Sequence, residues 1–210
     1  MRFGRKSGSQ EPDDGSVEEN DASSDPVEAE VGPFDISEVD EETRDCVDLG
    51  SLLVTPVGEM ELRLQVEEES GAVIAAVLVA EEGALELRAF AASRGGGAWD
   101  ELRPRIAAET ARMGGTVTEQ EGSFGTEMLC HVPVEDENGQ LVTQASRIVA
   151  HEGSAWLLRA TLMGLPAVDA RKAGPWEETI RQTVVRRGRE AMAPGSALPL
   201  ALPPEARRVD

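Results

Sequence analysis

Positive charge is scarce in this chain. Its 210 residues carry 20 Lys and Arg against 40 Asp and Glu, a formal net charge of −20. Displacing counterions from a phosphate backbone takes lysine and arginine, so direct nucleic-acid binding is not expected. The same shortfall argues against attraction to an anionic membrane surface. Cysteine is nearly missing as well: Cys46 and Cys130 stand far apart and outside any C-x-x-C spacing. That excludes a disulfide framework and a zinc motif, and it fits two reduced thiols in a cytoplasmic protein. Long apolar runs are absent. The run at residues 72–80, AVIAAVLVA, is far short of the roughly 20 apolar residues of a membrane helix. The opening MRFGRKSGSQ has basic residues but no apolar stretch behind them, so no secretory signal is expected.

What is present organises around residues 144–164, QASRIVAHEGSAWLLRATLMG. They read as two β-strands joined by a turn at His151-Glu152-Gly153-Ser154. On the second strand Trp156, Leu158, Ala160 and Leu162 share one side; Leu157, Arg159 and Thr161 share the other. This hairpin is expected at the centre of a sheet. Residues 60–66 and 84–92 alternate in the same way, and residues 72–80 are apolar on both faces. Short turns between these strands favour antiparallel connections. Residues 99–113 read as a helix, with Trp99, Leu102 and Ile106 at helical spacing and Gly114-Gly115 as its stop. Pro166 and Pro175 are expected to break the chain, with a second helix at residues 176–185.

The fold class is therefore α+β: a largely antiparallel sheet of about seven or eight strands with two helices packed on it. Residues 1–45, with 15 acidic and 4 basic side chains, read as a disordered acidic tail, in which Phe34 and Ile36 are able to dock as a short arm. Residues 46–190 read as a single α+β domain, and 191–210 as a proline-rich C-terminal tail.

Signatures of chemistry are thin. The loop Ser93-Arg94-Gly95-Gly96-Gly97 precedes a helix, and helix starts bind anions through free amides. It lacks the G-x-x-x-x-G-K-[ST] and G-x-G-x-x-G patterns, so a flexible connector is the simpler reading. An anion bound there would be held by Arg94 and the amides of Gly96 and Gly97. Arg159 lies mid-strand; a buried arginine is costly unless paired, so it needs a carboxylate or carbonyl partner, or a groove. Arg88 poses the same question. Trp99 is expected as a core anchor. Neither His131 nor His151 has zinc-ligand spacing, and His151 falls in a turn, where histidine is usually solvated. Cys130 and His131 are adjacent on a strand and point to opposite faces, so they make no dyad.

The ordered segments Asp48-Leu49-Gly50-Ser51-Leu52, Ala89-Phe90-Ala91-Ala92-Ser93-Arg94 running into Gly97-Ala98-Trp99-Asp100, Gly122-Ser123-Phe124-Gly125, Trp156-Leu157-Leu158-Arg159 and Leu198-Pro199-Leu200 together resemble an actinobacterial domain family of unknown function. The resemblance implies a cytoplasmic, single-domain protein and brings no catalytic residues. The leading expectation is a non-enzymatic binding or adaptor domain with a protein partner, no cofactor, no metal and no catalytic residue. The alternative is a small-ligand-binding protein or enzyme with a pocket near Arg94, Trp99 and Arg159.

Overall fold

A computed structural model describes residues 32–203. In chain order the elements are β1 (Phe34–Asp35), two 3-10 turns (Ile36–Glu38 and Glu41–Thr43), β2 (Val47–Asp48), β3 (Leu52–Val54), β4 (Glu61–Val66), β5 (Val73–Ala80), β6 (Gly83–Ala91), α1 (Ala98–Arg112), β7 (Thr116–Gly122), β8 (Gly125–Glu135), β9 (Leu141–Glu152), β10 (Trp156–Gly164), α2 (Leu165–Val168), α3 (Ala170–Gln182) and β11 (Val184–Val185). The hairpin β9–β10 lies at the middle of a seven-stranded sheet of order β4-β5-β6-β10-β9-β8-β7. Every neighbouring pair in it is antiparallel. The α+β class expected from the alternation is the class observed.

Period-two alternation gives this sheet two different faces. Leu85, Leu87, Ala89 and Ala91 of β6 share one face with Trp156, Leu158, Ala160 and Leu162 of β10. Trp176 and Ile180 of α3 complete that core, together with Leu52 and Val185 from a second sheet of order β1-β11-β3-β2 and Leu49 from the turn between β2 and β3. On the opposite face α1 lies over β7, β8 and β9. Its Trp99, Leu102 and Ile106 pack with Met128, Cys130, Ala150 and Leu157. Beyond α1 this face turns polar: Glu61 and Arg63 of β4 pair with each other while about half exposed.

Three stretches depart from expectation. Residues 32–45 carry defined structure: β1 pairs in parallel with β11, and Asp35 and Glu38 form a capping box on the first 3-10 turn. Residues 1–31 and 204–210, parts of the two expected tails, lie outside the described residues. The helix expected at residues 176–185 is α3, the third where two were expected; it begins at Ala170, ahead of Pro175, because Asp169 caps it by accepting from the Arg171 amide. A proline forfeits one bond to the carbonyl four residues earlier. For Pro175 that carbonyl belongs to Arg171 and for Pro104 in α1 to Asp100, both exposed residues, where water is able to take the place of the lost donor. Val184 and Val185 leave the helix to pair with β3, as suits β-branched residues.

The C-terminal stretch is a strap. The register between β5 and β6 runs only to Ala76 opposite Leu87, which leaves main-chain groups of Ala89 and Ala91 in need of partners. Residues 195–198 meet that need. Gly195 N–H donates to Ala91 O (2.7 Å), Ala91 N–H to Ser196 O (2.8 Å) and Leu198 N–H to Ala89 O (2.8 Å). Leu198 is buried there, and Leu200 bridges to both Gly50 and Val73. No helix among the described residues is long and apolar enough to cross a membrane.

Candidate functional site

The register of β6 against β10 sets Glu86 opposite Thr161, Arg88 opposite Arg159 and Phe90 opposite Leu157. All six belong to the face that α1 only partly covers. Like charges directly opposite one another destabilise a strand pair, so the two arginines need an explanation. Arg159 has half of one: its Nη2 donates to Glu86 Oε1 at 2.8 Å. Arg88 has none, because no carboxylate among the described residues lies within ion-pairing distance of it. Burial and the adjacent Arg159 charge lower its pKa, against a smaller opposing pull from Glu86. Each guanidinium carbon sits 5.6 Å from the centroid of the Phe90 ring, within cation–π range. The Nε atoms of Arg88 and Arg159 are both buried and without a hydrogen-bond partner.

Beside these side chains is a cleft of about 230 Å³. The sheet contributes Arg88, Phe90, Leu157 and Arg159 to its walls. Helix α1 contributes Glu101, Leu102 and Arg105, and the strap closes one side with Pro194 and Gly195. The cleft thus combines donors in forked geometry with an apolar floor, and forked donors match carboxylate or phosphate oxygens.

Of the residues singled out from the sequence, Arg159 lines the cleft, while Arg94 and Trp99 do not. Arg94 is exposed on the loop before α1. Trp99 is the expected core anchor, with its indole Nε1 donating to Thr126 O at 2.8 Å. Its amide donates to Glu152 Oε1 at 2.7 Å. An internal carboxylate therefore already occupies the start of α1, where the glycine loop offered a seat for an external anion. Arg88 was marked by the same question as Arg159, and its answer differs. Phe90 and Arg105 were not marked. Phe90 follows from alternation with Arg88, and Arg105 from its helical spacing to Leu102 once α1 is placed. Nothing local announces Pro194 and Gly195.

Other titratable groups have structural partners. Arg147 donates from Nη1 to Glu127 Oε2 (3.3 Å) and from Nη2 to Glu177 Oε1 (2.8 Å), and Arg181 Nη2 reaches Glu177 Oε2 at 3.1 Å. This cluster ties β8, β9 and α3 together. Burial raises the Glu177 pKa, but hydrogen bonds from Arg147 and Ser123 together with the Arg147 and Arg181 charges outweigh it and leave the carboxyl below its ordinary value. His151 is not the solvated turn residue expected. It leans on Trp156 with ring centroids 5.8 Å apart, and burial lowers its pKa against opposing pulls from Glu38 and Glu152. Cys130 is buried under α1, which raises its thiol pKa.

These features define an α+β domain with an arginine-lined cleft between a central antiparallel sheet, its covering helix and a C-terminal strap. Over residues 32–209 the chain matches the family described as protein of unknown function (DUF3710), and it belongs to that family. No curated protein and no solved structure matches it.

Proposed function

We propose that this protein is a non-enzymatic binding domain whose ligand presents an anionic group to Arg88 and Arg159. One observation carries the reading: Arg88 faces a second arginine across the sheet, in a cleft, with no carboxylate of its own among the described residues. A ligand anion would neutralise the like-charge pair and take up guanidinium donors that the fold leaves unused. Arginine stays protonated across the accessible pH range, so the pair holds charge and does not transfer protons. That favours binding over acid–base catalysis. The ligand is a discrete small anion or an anionic group on a partner, and not a nucleic acid, given the net charge of −20. Two free cysteines suit a reducing compartment, in keeping with a cytoplasmic location.

The test is thermal unfolding of the full chain in acetate, phosphate or sulfate against chloride at matched ionic strength. At least one of these anions should raise the midpoint by a few degrees, as ligand linkage requires near saturation. The rise should vanish in Arg88→Met and persist in Arg63→Met, which removes an arginine whose partner is Glu61 on the exposed edge strand. Midpoints identical to chloride in all three anions, or a rise that survives Arg88→Met, would refute the reading.

A further inference from the structure

The cleft also restricts which anion fits, an inference that rests on the reading above. Three arginines border it, Arg88, Arg105 and Arg159, and two carboxylates, Glu101 in its wall and Glu86 on Arg159. One positive charge is left over. A phosphate monoester carries about −1.5 to −2 at neutral pH. It would overshoot that balance inside a molecule whose net charge is already −20. A single carboxylate closes it. Carboxylate geometry also suits the free guanidinium fork of Arg88, which is able to bond both oxygens at once.

Beside Ser93 and these charged groups, the cleft also carries apolar side chains. Phe90 and Leu157 rise from the sheet, Leu102 comes from α1 and Pro194 from the strap. A ligand consisting only of charge would leave this surface wet, whereas a hydrocarbon body would cover it. The volume of about 230 Å³ lies below the roughly 300 to 1,000 Å³ of drug-sized pockets. It corresponds to about eight waters at about 30 Å³ each. We infer that the cleft receives a small monocarboxylate with an apolar body, its carboxylate between Arg88 and Arg159 and its hydrocarbon against Phe90 and Leu102.

Titration calorimetry on the full chain separates these elements with four probes. Benzoate, benzamide and phenyl phosphate share one apolar body and differ in charge; acetate keeps the carboxylate and drops the body. Benzoate should bind one per chain. Benzamide should bind about ten- to a hundredfold more weakly, the usual loss when a charged hydrogen-bond partner is removed. Phenyl phosphate and acetate should both be weaker than benzoate. Arg88→Met should weaken benzoate by a similar factor. Arg88→Lys, which keeps the charge and loses the fork, should fall between it and the parent chain, and it serves alone if the methionine variant does not fold. Benzamide binding as tightly as benzoate overturns the inference. So does Arg88-dependent phenyl phosphate binding tighter than benzoate, although the anion site itself then stands. Arg88-dependent acetate binding equal to benzoate removes the apolar body from the inference and likewise leaves the anion site. No binding by any charged probe refutes both.

Discussion

Arg88 and Arg159 are matched across β6 and β10, yet the fold treats them differently. Arg159 is bonded to Glu86, with both side chains about one-fifth exposed. Removing Arg159 leaves that carboxylate partly buried and without its hydrogen-bonding partner; Arg159→Met should therefore destabilise the chain by about 1–2 kcal/mol. Removing Arg88 takes away a like charge and a buried, unbonded Nε and leaves no acid unpaired among the described residues. In the absence of ligand, Arg88→Met should leave stability unchanged or raise it by up to about 1 kcal/mol. Urea unfolding of the two variants checks the order. A structural role for Arg88 would reverse it, since its loss would then cost at least as much as that of Arg159. Positions where folding tolerates an unfavourable charge arrangement are where ligands are expected.

At the scale of elements, α3 is fixed to the sheet by more than Trp176 and Ile180. Its Glu177 accepts from Arg147 of β9 and from Arg181 of its own next turn. The folded carboxyl releases its proton more readily than in the unfolded chain. Its contribution to stability is therefore whole above the ordinary glutamate value of 4.5 and is lost as pH falls through the lower folded value. Glu177→Gln should lower stability at neutral pH by about 1–3 kcal/mol and flatten the decline below pH 4.5. Thermal midpoints of both proteins from neutral to acidic pH measure this. A decline equally steep in the variant would assign the acid sensitivity to other carboxylates.

Elements were legible where one local pattern decided them. The alternation of Trp156, Leu158, Ala160 and Leu162 against Leu157, Arg159 and Thr161 identified a two-faced strand, and β10 is that strand, fourth of seven. The start of α3 was hidden because Pro175 reads as a breaker, and whether an unpaired carbonyl finds water depends on which side of the helix faces out. The strap was hidden for another reason. Its place depends on β5 and β6 parting beyond Ala76 and Leu87, a property of the sheet's pairing rather than of residues 193–201. The cleft was legible in part. Two arginines, Arg88 and Arg159, stood out in strands whose other charge is Glu86, but the contributions of Arg105, Pro194 and Gly195 arise only when distant segments are brought together.

The whole molecule is strongly acidic, with a sequence pI of about 4.4, so its long-range field repels anions. Affinity for one has to come from short-range contacts inside the cleft, where screening by salt is weaker. The most direct test of that claim observes the partly buried guanidinium groups themselves. Nitrogen-15 spectra of the arginine Nε–H groups, recorded while benzoate is added to the full chain at constant ionic strength, report each site separately. The account predicts that the Arg88 and Arg159 signals move together and saturate, while the Arg63 signal stays in place. Arg88 and Arg159 signals that remain fixed, or a drift shared by every arginine, would contradict it.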